Sequence, residues 1–456
     1  MTSPSNLAYP TPFELGNGNQ TTTWAECIAF YERLAERFPG VLRWWQIGTS
    51  DTGLPMHAGL VTADGVFDRD TLRRQQRPVF FNNNGIHPGE PEGIDACMAL
   101  VRDLCVEADR LSALGATVFL FIPVYNVDGC VNRQSTSRAN QLGPESFGFR
   151  GNGRHLDLNR DFIKCDSLAA QTFNRFFTDW DPDVMVDTHT ANGADYAYAM
   201  TLIPTQPDKL GGGLGDFLRE RMLPAIYGDM QRRGWPTCPY VNLLGETPDD
   251  GIEDFLVHFD RCVEELVVTA PKAYLVPQAW REVIERLEWN DVALQRLDAD
   301  RVFEAARVYR VLEVGTRASA YEGHPFHDRV LLSTHFETIQ ARAGDVLVPL
   351  DQSRARYAVE TLEPEAHDSF FCWGVLRQRA GAQAGLDLGL RLRRHRTGNA
   401  GRRAGAAAGL RRMEGGASSA GVGPASGTLV SVYPRPAPCR AGMAALSGSR
   451  VALIGD

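Results

Sequence analysis

Between residues 24 and 38 the apolar positions Trp24, Ile28, Tyr31, Leu34 and Phe38 recur at intervals of three and four. That spacing predicts a helix, opened by Thr22-Thr23 and closed by Pro39-Gly40. Residues 41–47 and 55–61 alternate well enough for the two strands of a hairpin. The run Pro78-Val79-Phe80-Phe81 then passes into Asn82-Asn83-Asn84-Gly85, as a buried strand entering a tight loop. Pro91 starts an amphipathic helix through Ile94, Met98, Leu100, Val101 and Leu104. Residues 116–124 form an unbroken apolar run, typical of a strand covered on both faces. A helix over 168–180, strands over 183–188 and 196–203, and a long helix over 214–233 complete the series. Strands alternating with helices predict an α/β domain.

The pattern is interrupted in three places. Residues 130–162 have no clear period and are rich in Asn, Gln, Gly and Arg; so long a loop inside a domain is usually functional. After residue 256 a second unit begins. A helical pattern over 283–287 and β-like runs over 302–314, 330–341 and 346–349 predict a small α+β domain at 270–373. From Val375 onward apolar patterning fades into Gly, Ala and Arg, which predicts a disordered tail over 375–456. The abrupt switch after Trp373 is also what a shifted reading frame in a GC-rich gene produces.

Charge sharpens this division. The tail holds 13 arginines against three acids and is +10, so residues 1–374 carry −19 of the net −9. An acidic main body argues against nucleic acid as a partner, and the basic tail lacks interleaved aromatics for stacking on bases. No apolar run approaches the ~18 residues of a membrane span, and residues 1–22 read as a polar N-terminal extension without a secretory signal. Nine cysteines without C-x-x-C pairs read as reduced thiols of a cytoplasmic protein. The chain leaves its oligomeric state open.

Candidate chemistry gathers at strand ends. His87 and Glu90, three apart, follow the strand at 78–84 at the edge where α/β sheets place their ligand sites. An imidazole and a carboxylate so close suit Zn²⁺, although a loop salt bridge or a helix cap has the same spacing. A catalytic zinc needs a third protein ligand. His189 ends the apolar strand Val184-Met185-Val186-Asp187-Thr188 in a matching position. Between them, Asn159-Arg160 is a pair suited to gripping a carboxylate, unless Arg160 is taken up by Asp157 or Asp161. Asp187 reads as a partner or cap near His189 and not as a ligand. His155 reads as a loop histidine. His324, His327 and His335 lack neighbouring cysteines that would favour a metal.

In that order, His87-x-x-Glu90, Asn159-Arg160 and Asp187-Thr188-His189 resemble the M14 zinc metallocarboxypeptidases. The likeness is closest to a bacterial branch, through Asn126-Val127-Asp128-Gly129, Arg138-Ala139-Asn140-Gln141 and Phe149-Arg150-Gly151-Asn152. It implies a mixed, mostly parallel sheet flanked by helices over 23–256, and one Zn²⁺ per chain held by His87, Glu90 and His189. It also implies that Asn159 and Arg160 bind the substrate carboxylate and that Arg138 stabilises the oxyanion. The expected activity is removal of a C-terminal residue from a peptide. A zinc-dependent deacylase of an N-acyl amino acid is the alternative within enzymes, since both substrates carry a free carboxylate. A non-catalytic zinc- and carboxylate-binding protein is the alternative outside them. The family's tyrosine and catalytic glutamate have no clear counterpart. Glu264 and Glu265 are the only acids beside an apolar run in the right part of the chain, and both match poorly. A segment therefore reads as deleted near residue 256, and the general base is unassigned.

Overall fold

A capping box between Thr23 and Glu26 starts the helix Trp24–Arg37, whose buried face (Cys27, Phe30, Tyr31, Leu34) faces the first core. The computed structural model describes residues 8–138, 141–190, 195–240, 266–376, 426–434 and 452–453. Strands β1 (Leu42–Thr49), β2 (Pro55–Val61), β3 (Val79–Asn83), β4 (Val118–Ile122), β5 (Val184–Thr190), β6 (Asp195–Pro204) and β7 (Thr237–Pro239) follow in order. The second unit contributes β8 (Ala273–Val276), β9 (Gln295–Arg296), β10 (Arg301–Thr316), β11 (His327–Ala341) and β12 (Val346–Pro349). Two further strands are β13 (Ser426–Pro434) and β14 (Ala452–Leu453).

The first sheet has eight strands in the order β1-β2-β4-β3-β5-β13-β6-β7. Four of its seven pairings are parallel, so it is mixed and mostly parallel, as expected. β4 is buried along its whole length, and Phe81 of β3 meets Phe173, Phe176 and Phe177 of the helix Leu168–Trp180. β3 pairs in parallel with β5, so both strands point their carboxyl ends the same way. The N-terminal extension is tied to this domain: Thr21 and Thr22 donate to the buried Asp95, and Arg102 pairs with Glu14 at 2.5 Å.

The second sheet, β11-β10-β14-β8-β12-β9, packs on the helices Arg281–Trp289 and Ala355–Leu362 around Tyr274, Val283, Ile284, Leu287 and Phe370. Its core extends past the expected boundary, because Val375 and Leu376 are buried in it. The expected long helix over 214–233 is also modified. It runs as Gly212–Phe217 and Leu223–Arg232 around a π-turn at Leu218–Met222. Pro224 has no N–H for the α-helical ladder, and a widened turn just before it absorbs the defect.

The tail departs from the expected uniform disorder at two places. β13 pairs antiparallel with β5 and parallel with β6, and β14 lies between β10 and β8. Leu429-Val430-Ser431-Val432-Tyr433 is a short β-prone run whose signal is diluted by the Gly- and Ala-rich composition around it. The rest of 377–456 lies outside the described residues, as do the expected deletion near 256 and Glu264 and Glu265. Among the described residues no helix is long and apolar enough to cross a membrane. The cysteines Cys27, Cys97, Cys105, Cys130, Cys165 and Cys372 are free and buried.

Candidate active site

β3 ends at Asn83, and the chain turns through Gly85 before presenting His87 and Glu90 ahead of the helix Glu92–Val106. Gly85 has φ +64°, a left-handed turn that most side chains resist. β5 supplies His189 near its carboxyl end. His87, Glu90 and His189 are the one group of potential metal ligands among the described residues, with ligand atoms all within 4.8 Å of one another. All three side chains are buried.

The orientation of the two rings is fixed from behind. His87 Nδ1 lies 3.2 Å from Glu90 Oε1, and His189 Nδ1 lies 3.0 Å from Glu90 Oε2. On the far side, His87 Nε2 is 2.9 Å from Asp157 Oδ1, and His189 Nε2 is 3.0 Å from Asp187 Oδ2. A carboxylate accepts the Nε2 proton of each ring, which leaves both Nδ1 atoms directed at Glu90. The two carboxylates are held in turn. Asn83 Nδ2 donates to Asp187 at 2.9 Å, and Arg150 donates to Asp157 Oδ2 from Nε at 3.0 Å.

This placement sets the charges. Burial disfavours the Glu90 carboxylate, yet His189 and His87 beside it hold its pKa well below the usual range. Burial also disfavours a charged His189, but Asp187 and Glu90 on either side outweigh it and raise its pKa to about 10. For Asp157, burial is likewise overcome by His87 and Arg150, and its pKa is lowered.

The remaining candidates divide. Arg138 reaches inward, with Nη1 2.6 Å from Glu90 Oε1, and is not a solvated loop arginine. Asn159 Nδ2 is 3.5 Å from His189 Nε2, and its backbone N–H donates to Asp157. Arg160 forms neither anticipated ion pair: Asp157 takes Arg150 and Asp161 takes Lys164, while Arg160 Nε donates to Tyr321 at 3.1 Å. His155 stays outside the cluster against Phe149. His324, His327 and His335 bond separately to Asp166, Thr316 and Ser333. Asp157 is the functional neighbour that sequence reasoning missed, since nothing in an aperiodic loop marks it as the partner of His87. Tyr321 and Glu322, from the second unit, were equally invisible.

Gly93 keeps the two halves of the cluster together. A Cβ there would come 2.0 Å from Thr188 Oγ1 and 2.5 Å from Thr188 Cβ, one residue before His189. Gly93→Ala should therefore force the helix Glu92–Val106 off β5. A destabilisation of about 1–3 kcal/mol is expected in urea titration, with weaker zinc uptake by calorimetry. Unchanged zinc affinity would mean that the helix position is immaterial to the cluster.

Residues 27–184 match the model of the zinc carboxypeptidase family M14. Asp187 and His189 lie just beyond the match. Carboxypeptidase 2 of Trichophyton tonsurans is 30% identical over 146 residues, covering 30% of this chain and 26% of the relative. Carboxypeptidase 2 of Trichophyton rubrum gives the same figures. The chain thus spans about a quarter of the length of the curated relatives it matches. Among solved structures, carboxypeptidase A of Helicoverpa armigera is 15% identical, over 52% of this chain and 60% of that one, with a TM-score of 0.36. A metallo-carboxypeptidase from Burkholderia cenocepacia is 16% identical, over 48% and 54%, with a TM-score of 0.36.

Proposed function

We propose that the chain is a zinc-dependent, carboxypeptidase-like hydrolase whose substrate is a peptide with a free C-terminal carboxylate. The observation that carries this is the pair of imidazoles, each with Nε2 held by a carboxylate and Nδ1 turned to Glu90. Two histidine nitrogens and one carboxylate are a common protein ligand set for catalytic zinc, which leaves a further position open. His87, Glu90 and His189 would hold one Zn²⁺ per chain. A zinc ion held there supplies Lewis-acid polarisation of a carbonyl and acidification of water.

The other residues serve the substrate. Asp157 and Asp187 keep the rings in one orientation and tautomer. Arg160, exposed beside the cluster, offers a guanidinium fork to the substrate carboxylate, and Asn159 sets the chain on which it stands. Arg138, whose Nη1 lies 2.6 Å from Glu90 Oε1, brings a guanidinium to the edge of the cluster that would stabilise a developing oxyanion. One observation favours a second, non-catalytic reading, in which the site binds zinc and carboxylates without turnover. Among the described residues, the carboxylates around the cluster are already engaged: Asp157 by His87 and Arg150, Asp187 by His189 and Asn83, and Glu92 by Thr190.

Turnover of a hippuryl-type peptide against an N-acyl aspartate or glutamate, each with and without chelator, tests the assignment. Chelator-sensitive release of the C-terminal residue from the peptide is expected. Preferential cleavage of the acyl-amino acid would make the protein a deacylase, and binding without cleavage of either would favour the second reading.

A further inference from the structure

The loop bearing Asn159 and Arg160 is gripped from the second unit. At the tip of the β10–β11 hairpin, Tyr321 N donates to His324 O at 2.8 Å and His324 N to Tyr321 O at 3.0 Å. They close a two-residue turn at Glu322 and Gly323, with φ of +49° and +80°. Such a turn ordinarily takes Asn or Asp followed by Gly, and a glutamate in the left-handed region is strained. Glu322 turns its side chain to the other unit, where Oε2 accepts the backbone N–H of Asp157 at 3.0 Å. That is the residue whose carboxylate holds His87.

Next to it, the Tyr321 hydroxyl accepts the Nε–H of Arg160. Arg160 Nη1 donates to the Asn159 carbonyl at 2.8 Å, and among the described residues Nη2 has no hydrogen-bond partner. Tyr321 as a whole is 36% exposed. Its ring stacks on Trp373 at 5.9 Å, and Trp373 lies 5.1 Å from the ammonium of Lys164. Lys164 donates to the Arg160 carbonyl at 2.7 Å, and Asp166 takes Arg286 at 2.8 Å and His324 at 2.5 Å. The second unit therefore holds residues 157–166 at both ends.

We propose that Tyr321 and Glu322 complete the substrate-carboxylate subsite. Tyr321 is a positioning residue that fixes the Arg160 guanidinium with its Nη edge toward the substrate, and Glu322 sets the height of the loop beneath it. This rests on reading Arg160 as the group that binds the substrate carboxylate. An arginine held before binding loses less side-chain freedom on meeting its ligand, so the restraint appears as affinity for a carboxylate and for no other end group.

The test uses the full zinc-loaded chain and calorimetric binding of N-acetylphenylalanine and of its amide. Tyr321→Phe removes only the hydroxyl, and Glu322→Asn keeps a residue suited to the turn. Both should retain the wild-type affinity for the amide. Tyr321→Phe should weaken carboxylate binding about five- to tenfold, and Glu322→Asn by a smaller factor in the same direction. Arg160→Ala should abolish the preference for carboxylate over amide. If Arg160→Ala abolishes it while Tyr321→Phe leaves it intact, the positioning role is overturned and the Arg160 reading stands. If the wild type shows no preference, the Arg160 reading fails and the positioning role fails with it.

Discussion

Replacing His189 with alanine should lower zinc affinity by two to three powers of ten. A structural zinc site contributes about 10–16 kcal/mol, so one ligand in four is worth about 2.5–4 kcal/mol, and 1.4 kcal/mol is a tenfold change. The loss has a second component in this protein. The Glu90 carboxylate faces His189 Nδ1 and accepts the Thr190 backbone N–H, and with His189 gone Thr190, Arg138, His87 and, at 3.8 Å, Arg150 remain around it. A buried carboxylate that loses a cationic partner moves toward the neutral form and becomes a poorer ligand itself. Asp187→Asn is the milder comparison, because it keeps the imidazole and weakens only the hold on its Nε2. Loss of such an outer partner costs about 10–100-fold. The measurement is zinc content and affinity by calorimetry against a competing chelator. His189→Ala with a full equivalent of tightly bound zinc would remove that residue from the coordination sphere.

The cluster was legible because its parts sit where the hydrophobic pattern changes. A strand that is apolar to its last residues and then polar marks the carboxyl edge of a sheet, and both His87 and His189 stand at such an edge. Asp157 was not legible, because an irregular loop carries no period from which a side chain's direction can be read. Tyr321 and Glu322 were hidden for a different reason. Glu-Gly is not the dipeptide that ordinarily announces a two-residue hairpin turn, and contacts between units separated by some 165 positions leave no local trace. β8 and the helix Ala355–Leu362 escaped notice because short segments carry too few apolar positions to establish a period. Functional groups contributed by a second unit are therefore the part of a site that pattern reading loses first.

Peptide turnover should lie about 10²–10⁴-fold below that of a zinc carboxypeptidase with a complete acid–base apparatus, the range that a positioned proton-transfer group contributes. Hydrolysis needs a carboxylate that is not a metal ligand to take a proton from water and pass it to the leaving amine. Asp157 and Asp187 cannot serve without releasing the histidines they orient, since each holds a ring nitrogen with one oxygen and a second donor with the other. Glu92 is exposed at the start of its helix and accepts the Thr190 hydroxyl, which turns it along β5 and toward the residue after His189. Binding and orientation by Arg160 and Arg138 would remain, so the deficit falls on kcat while carboxylate affinity persists. The decisive measurement is kcat/KM for a peptide with a free C-terminus and for the same peptide blocked as an amide. It is made on the wild type and on Glu92→Gln, Glu264→Gln and Glu265→Gln. All four proteins are expected to be similarly slow, with the free peptide bound more tightly than the blocked one. A wild-type kcat/KM of about 10⁴ M⁻¹s⁻¹ or more, lost in one of the three glutamine variants, would identify that glutamate as the base. Loss in Glu92→Gln would place the base on the helix after the His87-x-x-Glu90 motif. Loss in Glu264→Gln or Glu265→Gln would place it after β7, on the segment that precedes the second unit.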